Sequence, residues 1–125
     1  MPAEPSRKLK ILVVDDEPIV CNCIVGMIAH DGHEVHAANS GPAALDLFGK
    51  DRFDLVFVDF SMPGMKGDEL AIAIRALSPA QPIIMITGNA PARGRLAGVD
   101  LIIHKPVMLE DLQRAIRTRF SPAST

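Results

Sequence analysis

Residues 9–18 read Leu-Lys-Ile-Leu-Val-Val-Asp-Asp-Glu-Pro. The run Ile11–Val14 is apolar at every position rather than at alternate ones. A strand of that kind is buried on both faces, as in a parallel sheet. It ends abruptly on Asp15-Asp16. Pro18 then suits the first turn of a helix, with an acid at its cap. Strand, acidic turn and helix in ten residues are the opening of a βα unit.

The same design recurs downstream. Asp54-Leu55-Val56-Phe57-Val58 runs into Asp59, Ile83-Ile84-Met85-Ile86 into Thr87, and Leu101-Ile102-Ile103 through His104 to Lys105-Pro106. The pattern predicts strands over Leu9–Val14, Glu34–Ala38, Phe53–Val58, Ile83–Ile86 and Asp100–Ile103. The first helix carries Ile19, Val20, Cys23, Ile24, Met27 and Ile28 at helical spacing, and Gly32 stops it. Ser40 caps a second helix, with Ala44, Leu47 and Phe48 inward. Pro63-Gly64 forms a turn before a third helix, Gly67–Leu77, which buries Leu70, Ala73, Ile74 and Leu77. The segment Gly88–Gly98 has room for only a short helix, because Pro91, Gly94 and Gly98 interrupt it. A last helix over Met108–Phe120 turns Leu109, Leu112, Ile116 and Phe120 inward. The domain is expected over residues 9–120, with loose tails at 1–8 and 121–125.

Strand and helix thus alternate five times, the pattern of a doubly wound α/β fold with a parallel sheet. Right-handed crossovers place the carboxyl end of every strand on one edge, where such sheets bind ligands. The bulk numbers narrow the chemistry. A chain of 125 residues with 48% hydrophobic content buries one core. A net charge of −2 lacks the basic face expected of a nucleic-acid binder. Five Phe and no Trp or Tyr leave little for base stacking. No apolar stretch nears the ~20 residues of a membrane span, and Met1–Lys10 lacks a signal peptide's apolar core. A cytoplasmic location is the resulting expectation. Cys21 and Cys23 are too few for a zinc site and are expected to be two buried thiols.

The strand ends carry the chemistry. Asp15, Asp16 and Asp59 offer three carboxylates, Thr87 a hydroxyl and Lys105 an ammonium. Singly, each has an ordinary structural explanation: a cap, a turn, a strand end, a surface charge. Together on one sheet edge they suit a divalent cation and a phosphoryl group. Mg²⁺ takes oxygen ligands from one or two carboxylates, a cation bridges a carboxylate and the phosphoryl group it would otherwise repel, and lysine and hydroxyl meet the transferring oxygens. One carboxylate can serve as nucleophile and form an acyl phosphate. His33 and His36 flank a strand start without further ligands nearby, and His104 points away from Lys105 by strand alternation.

The segments ILVVDDEP, LVFVDFSMPGMKGDEL, IIMITG and AGVDLIIHKP resemble the receiver domain of two-component response regulators, over about Lys10 to Phe120. The resemblance implies a flavodoxin-like strand order 2-1-3-4-5 with helices on both faces. It implies that Asp59 accepts a phosphoryl group from a phosphohistidine on a sensor histidine kinase or phosphotransfer protein. Asp16 would ligate Mg²⁺ or Mn²⁺ directly, Asp15 directly or through water, and the Ser61 backbone carbonyl would add a ligand. Thr87 and Lys105 would contact the phosphoryl oxygens, and the Lys105–Pro106 bond would be cis. Ser61 and Asn89 would set the acyl-phosphate lifetime, with Gly88 leaving the pocket open. The signal would leave through the fourth predicted helix, the fifth strand and the last helix, toward an unidentified downstream protein.

The chain departs from the pattern in three places. The aromatic three residues before the lysine is Ile102, the aromatic after Lys-Pro is Val107, and the span from Thr87 to Lys105 is about one helical turn short. The chemistry is therefore expected to be intact and the output unusual. A receiver fragment of a hybrid histidine kinase, or a phosphate sink, is the alternative context. An aspartyl phosphatase is disfavoured because Ser61 stands where that chemistry needs a second acid. A flavin module is disfavoured because the first loop is Asp15-Asp16-Glu17, which repels phosphate.

Overall fold

The computed structural model describes residues 8–88 and 99–120. Five strands and four helices follow in the order β1 (Lys10–Val14), α1 (Pro18–His30), β2 (Glu34–Ala38), α2 (Gly41–Lys50), β3 (Leu55–Asp59), α3 (Gly67–Leu77), β4 (Ile83–Thr87), β5 (Leu101–His104) and α4 (Leu109–Phe120). All neighbouring strands are parallel, in the order β2-β1-β3-β4-β5. The doubly wound sheet expected from the apolar runs is the fold observed.

Alternation along each strand divides the core into two layers. Ile11, Val13, Leu55, Phe57, Ile84 and Ile86 face the layer that α1 and α4 cover through Cys21, Ile24, Ile28, Leu112 and Ala115. Leu12, Val14, Val56, Val58, Ile83 and Met85 face the layer that α2 and α3 cover through Ala44, Leu70, Ala71 and Ile74. Both faces of β1, β3 and β4 are thus dry, which is why Ile11–Val14, Leu55–Val58 and Ile83–Ile86 carry no polar residue.

Local signals set most element ends. Ser40 Oγ accepts from Ala43 N–H at 3.2 Å and starts α2. Glu69 Oε1 accepts from Lys66 N–H at 2.9 Å at the start of α3. Gly64 turns the chain at φ +82°, a left-handed conformation that glycine adopts freely.

Several positions differ from the sequence reading. The rows Cys21, Ile24 and Ile28 set the phase of α1. Ile19 and Cys23 lie about half a turn from Cys21, so Ile19 is 79% exposed and Cys23 is exposed as well. Only one of the two thiols is buried. On α3 the inward row is Gly67, Leu70, Ala71 and Ile74. It continues onto the helix end at Ser78, which leaves Leu77 64% exposed. Leu109 opens α4 and is exposed. β3, β4 and β5 each run one residue further than expected, so Asp59, Thr87 and His104 are strand residues. The short helix expected within Gly88–Gly98, the tails at 1–7 and 121–125, and the Phe120 side chain lie outside the described residues.

Glycine positions test this packing. A Cβ on Gly67 would lie 2.5 Å from the Asp59 carbonyl oxygen and 2.7 Å from Phe60 Cα, both backbone atoms. A Cβ on Gly26, inside α1, would meet nothing within 4 Å among the described residues. Gly26→Ala should therefore stabilise the domain by up to about 1 kcal/mol, from helix propensity. Gly67→Ala should destabilise it by about 2 kcal/mol or more, from overpacking against backbone. Urea denaturation of the two variants reads both signs.

Candidate functional site

The register brings the strand-end residues together. Asp59 pairs with Ile86, and Thr87 with His104. Beyond β5 the ladder continues for one bond, from Lys105 N–H to the Thr87 carbonyl at 2.9 Å. Asp15 follows β1 in the same way, its N–H donating to the Ala38 carbonyl at 3.1 Å. Side chains from four separate stretches of sequence therefore project from one edge.

Asp15, Asp59 and Thr87 are buried. Oxygen atoms of Asp15, Asp16 and Asp59 lie within 4.8 Å of one another. Lys105 Nζ stands 2.9 Å from Asp59 Oδ1. That contact has ion-pair distance without hydrogen-bond geometry, because Asp59 Oδ1 makes no directed hydrogen bond among the described residues. Asp15 Oδ1 accepts from Glu17 N–H at 2.9 Å, whereas Asp15 Oδ2 is buried with no hydrogen-bond partner among them.

The electrostatics follow from that crowding. Burial pushes the Asp15 carboxyl above its usual range, and repulsion from Asp59 and Asp16 adds to it; the Glu17 N–H and Lys105 pull the other way. Burial likewise raises Asp59, with Lys105 opposing and Asp16 and Glu17 reinforcing. Burial alone would lower Lys105, but its attraction to Asp59, Asp15 and Glu17 outweighs it and the ammonium is held above its ordinary value.

A divalent metal ion fits this donor set. Hard cations take carboxylate oxygens, and a buried carboxylate oxygen without a donor is costly unless a cation meets it. Asp15 Oδ2 is such an atom. Ser61, two residues after the buried Asp59, is exposed and lines a shallow open concavity with Phe60, Met62, Pro63 and Lys66. The Lys105–Pro106 bond is cis. Among the described residues, a Cβ on Gly88 would reach only the Lys105 side chain, at 3.8 Å. Asn89 lies outside the described residues.

The other sequence candidates sit elsewhere. His33 Nδ1 accepts from Leu9 N–H at 3.0 Å, and His36 Nε2 pairs with Glu34 at 2.7 Å. Both are held by structural contacts far from the carboxylates. His104 is exposed. Sequence reading missed Gly67, whose bare Cα lets α3 press on the Asp59 backbone. It also missed Asn39, whose amide donates to the Asp15 carbonyl at 3.2 Å. A polar residue directly after β2, on the edge where the other strands end in functional groups, was the available signal.

These raised carboxyl pKa values carry a sign. A carboxyl that holds its proton more tightly when folded loses stability for the fold as pH rises above its ordinary value. In metal-free buffer, Asp15→Asn should therefore gain on wild type as pH rises from about 4 to 7. At pH 7 the gain should be about 1 kcal/mol, or about 4 °C in melting midpoint. Added Mg²⁺ should raise the wild-type midpoint and leave the variant's nearly unmoved. Melting curves with chelator and with Mg²⁺ at both pH values measure the difference.

Comparison with known proteins agrees with this geometry. The pattern of the response regulator receiver domain matches residues 11–117. The chain is 33% identical over 118 residues to the sensor histidine kinase RcsC of Salmonella typhi, covering 91% of this chain and 12% of the kinase. It is 34% identical over 121 residues to the response regulator MprA of Mycolicibacterium vanbaalenii, covering 91% and 52%. It thus spans about an eighth of the kinase and about half of the regulator. Among solved structures, the chemotaxis protein CheY4 of Vibrio cholerae superposes with a TM-score of 0.86 at 29% identity, over 91% of this chain and all of that one. The response regulator TrrA of Thermotoga maritima, solved in complex with Mg²⁺ and BeF, gives 0.83 at 31% identity, over 90% and 99%.

Proposed function

The chain belongs to the response regulator receiver domain family of two-component systems, and from that premise we propose that Asp59 is its phosphoacceptor. One observation carries the assignment. Asp59 is 3% exposed, has Lys105 at 2.9 Å, and shares a 4.8 Å cluster with Asp15 and Asp16. Of the three acids it is the one paired with an ammonium, so it is the one whose charge is balanced for attack on an anionic group.

The donor is a phosphohistidine on a sensor histidine kinase or a phosphotransfer protein. An Asp59 oxygen attacks phosphorus, the P–N bond breaks as the P–O bond forms, and the leaving imidazole takes up a proton. Asp59 must be ionised for this, and burial opposes that, while the Lys105 ammonium offsets part of the cost. As the phosphoryl group arrives, Lys105 and the Thr87 hydroxyl face its oxygens. Asp15, Asp16 and Asp59, with the Ser61 carbonyl, would hold Mg²⁺ or Mn²⁺, which supplies the remaining charge neutralisation when bound. Ser61, two residues after Asp59, carries no carboxyl to act as a general acid. The domain therefore turns over its own acyl phosphate rather than external phosphoesters. Ser61 and Asn89 tune that lifetime, and Gly88 keeps the rim open.

Output is where this chain differs. Thr87 and Ile102 lie on the same face of adjoining strands, two positions apart in register. Ile102 packs half-buried against the α2/α3 layer with Met85 and Val99. A branched aliphatic side chain there can change rotamer as Thr87 moves, but it has no ring to bury. The exit for the signal includes β5 and α4. The likeness to a sensor kinase supports a second context, a receiver joined to a hybrid kinase. No helix among the described residues is long and apolar enough to cross a membrane, and a cytoplasmic location fits the proposed partners.

Incubation with Mg²⁺ and a small acyl phosphate should add one phosphoryl group by intact mass. The adduct should vanish with chelator and in Asp59→Asn. Lys105→Ala should slow its formation by at least about tenfold while melting as a folded domain. The same adduct in Asp59→Asn would move the site elsewhere.

A further inference from the structure

We infer that Asn39 is a positioning residue for the divalent-cation site, its side-chain amide fixing the Asp15–Asp16 peptide so that both carboxylates face Asp59. The inference rests on the receiver reading above and assigns a role to a residue outside the acid, hydroxyl and lysine set.

Asp15 has four polar atoms that need fixing. Its N–H donates to the Ala38 carbonyl at 3.1 Å. Its side-chain Oδ1 accepts from Glu17 N–H at 2.9 Å. Its carbonyl accepts from Asn39 Nδ2 at 3.2 Å. The fourth, Oδ2, is buried with no hydrogen-bond partner among the described residues. Three contacts thus orient the residue and leave one buried oxygen without a donor among the described residues.

The carbonyl contact reaches further than Asp15. A peptide group is rigid and planar, so holding the Asp15 carbonyl also fixes the N–H and the backbone direction of Asp16. Asp16 is half-buried, and its carboxyl belongs to the cluster. Neither strand ladder supplies this restraint. β1 ends at Val14 and β2 at Ala38, so Asn39 spans the gap between the two strand ends just beyond the sheet.

The choice of side chain is chemical. A carbonyl only accepts, so the partner must donate, and a carboxylate in that place would not. Lys or Arg would donate but bring a positive charge beside three carboxylates, where it would compete with the metal ion. Asn donates without charge. It is also exposed, so its removal opens no cavity in the core. Its effect is therefore separable from folding.

Calorimetric titration with Mg²⁺ tests the assignment on wild type, Asn39→Ala and the near-isosteric Asn39→Leu. Both variants should bind Mg²⁺ about three- to tenfold more weakly, the worth of one neutral hydrogen bond. Their melting midpoints in chelator should stay within about 2 °C of wild type. Acyl-phosphate formation should return to the wild-type rate once Mg²⁺ is raised to saturation. Wild-type Mg²⁺ affinity in both variants would overturn the inference and leave the receiver reading standing. A lowered midpoint in chelator, with a rate that saturating Mg²⁺ does not restore, would also overturn it by making Asn39 a structural tie. Absence of Mg²⁺ binding by the wild type would overturn the receiver site and this inference with it.

Discussion

Asp59 and Lys105 meet at 2.9 Å where burial works against the charge on each of them. A carboxylate and an ammonium removed from water are costly unless each answers the other. Here the answer is incomplete, because two further carboxylates crowd the same space. The negative excess makes the site receptive to a cation, and the half-buried lysine makes it receptive to the oxygens of a phosphoryl group. The reactivity proposed for the domain follows from that imbalance.

The sheet exists to hold the imbalance in place. Dry layers on both faces fix β1, β3 and β4, and parallel register sets Asp59 beside the β4 end and Lys105 beside Thr87. α3 begins almost in contact with the Asp59 backbone, which only the missing side chain of Gly67 permits. At the opposite end of β4, Asp100 accepts from Ile83 N–H at 2.8 Å and from Arg75 at 2.7 Å. The short strand β5 is thereby tied to β4 and α3 before it delivers Lys105.

Much of this was legible in the sequence for a physical reason. A strand buried on both faces cannot carry polar residues along its length, so its first polar residue marks its end. In Val14-Asp15, Val58-Asp59 and Ile86-Thr87 that change of polarity located both the fold and the candidate site. The phase of α1 was not legible, because Ile19 and Cys23 are as apolar as Ile24 and Cys21. Only the position of the strands beneath the helix distinguishes them. Asn39, Arg75 and Asp100 were missed because their partners are distant in sequence. Their contacts exist only once the sheet brings 39 to 15, or 75 to 100. Gly67 was placed correctly at a helix start, yet its close approach to Asp59 has no sequence signature.

In the proposed reading, the chain combines a complete set of reacting groups with an altered relay. Ile102 and Val107 are aliphatic, and both pack against core layers, so the fold accommodates them without a ring at either position. Everything downstream depends on the buried carboxylate at the end of β3 being the group that is modified. Borohydride reduction of the phosphorylated protein, followed by peptide mapping, tests that directly, since an aspartyl phosphate is an acyl phosphate and reduces to homoserine. The account predicts homoserine at position 59, with Asp15 and Asp16 recovered unchanged. Homoserine at either of those positions, or none after confirmed phosphorylation, would contradict it.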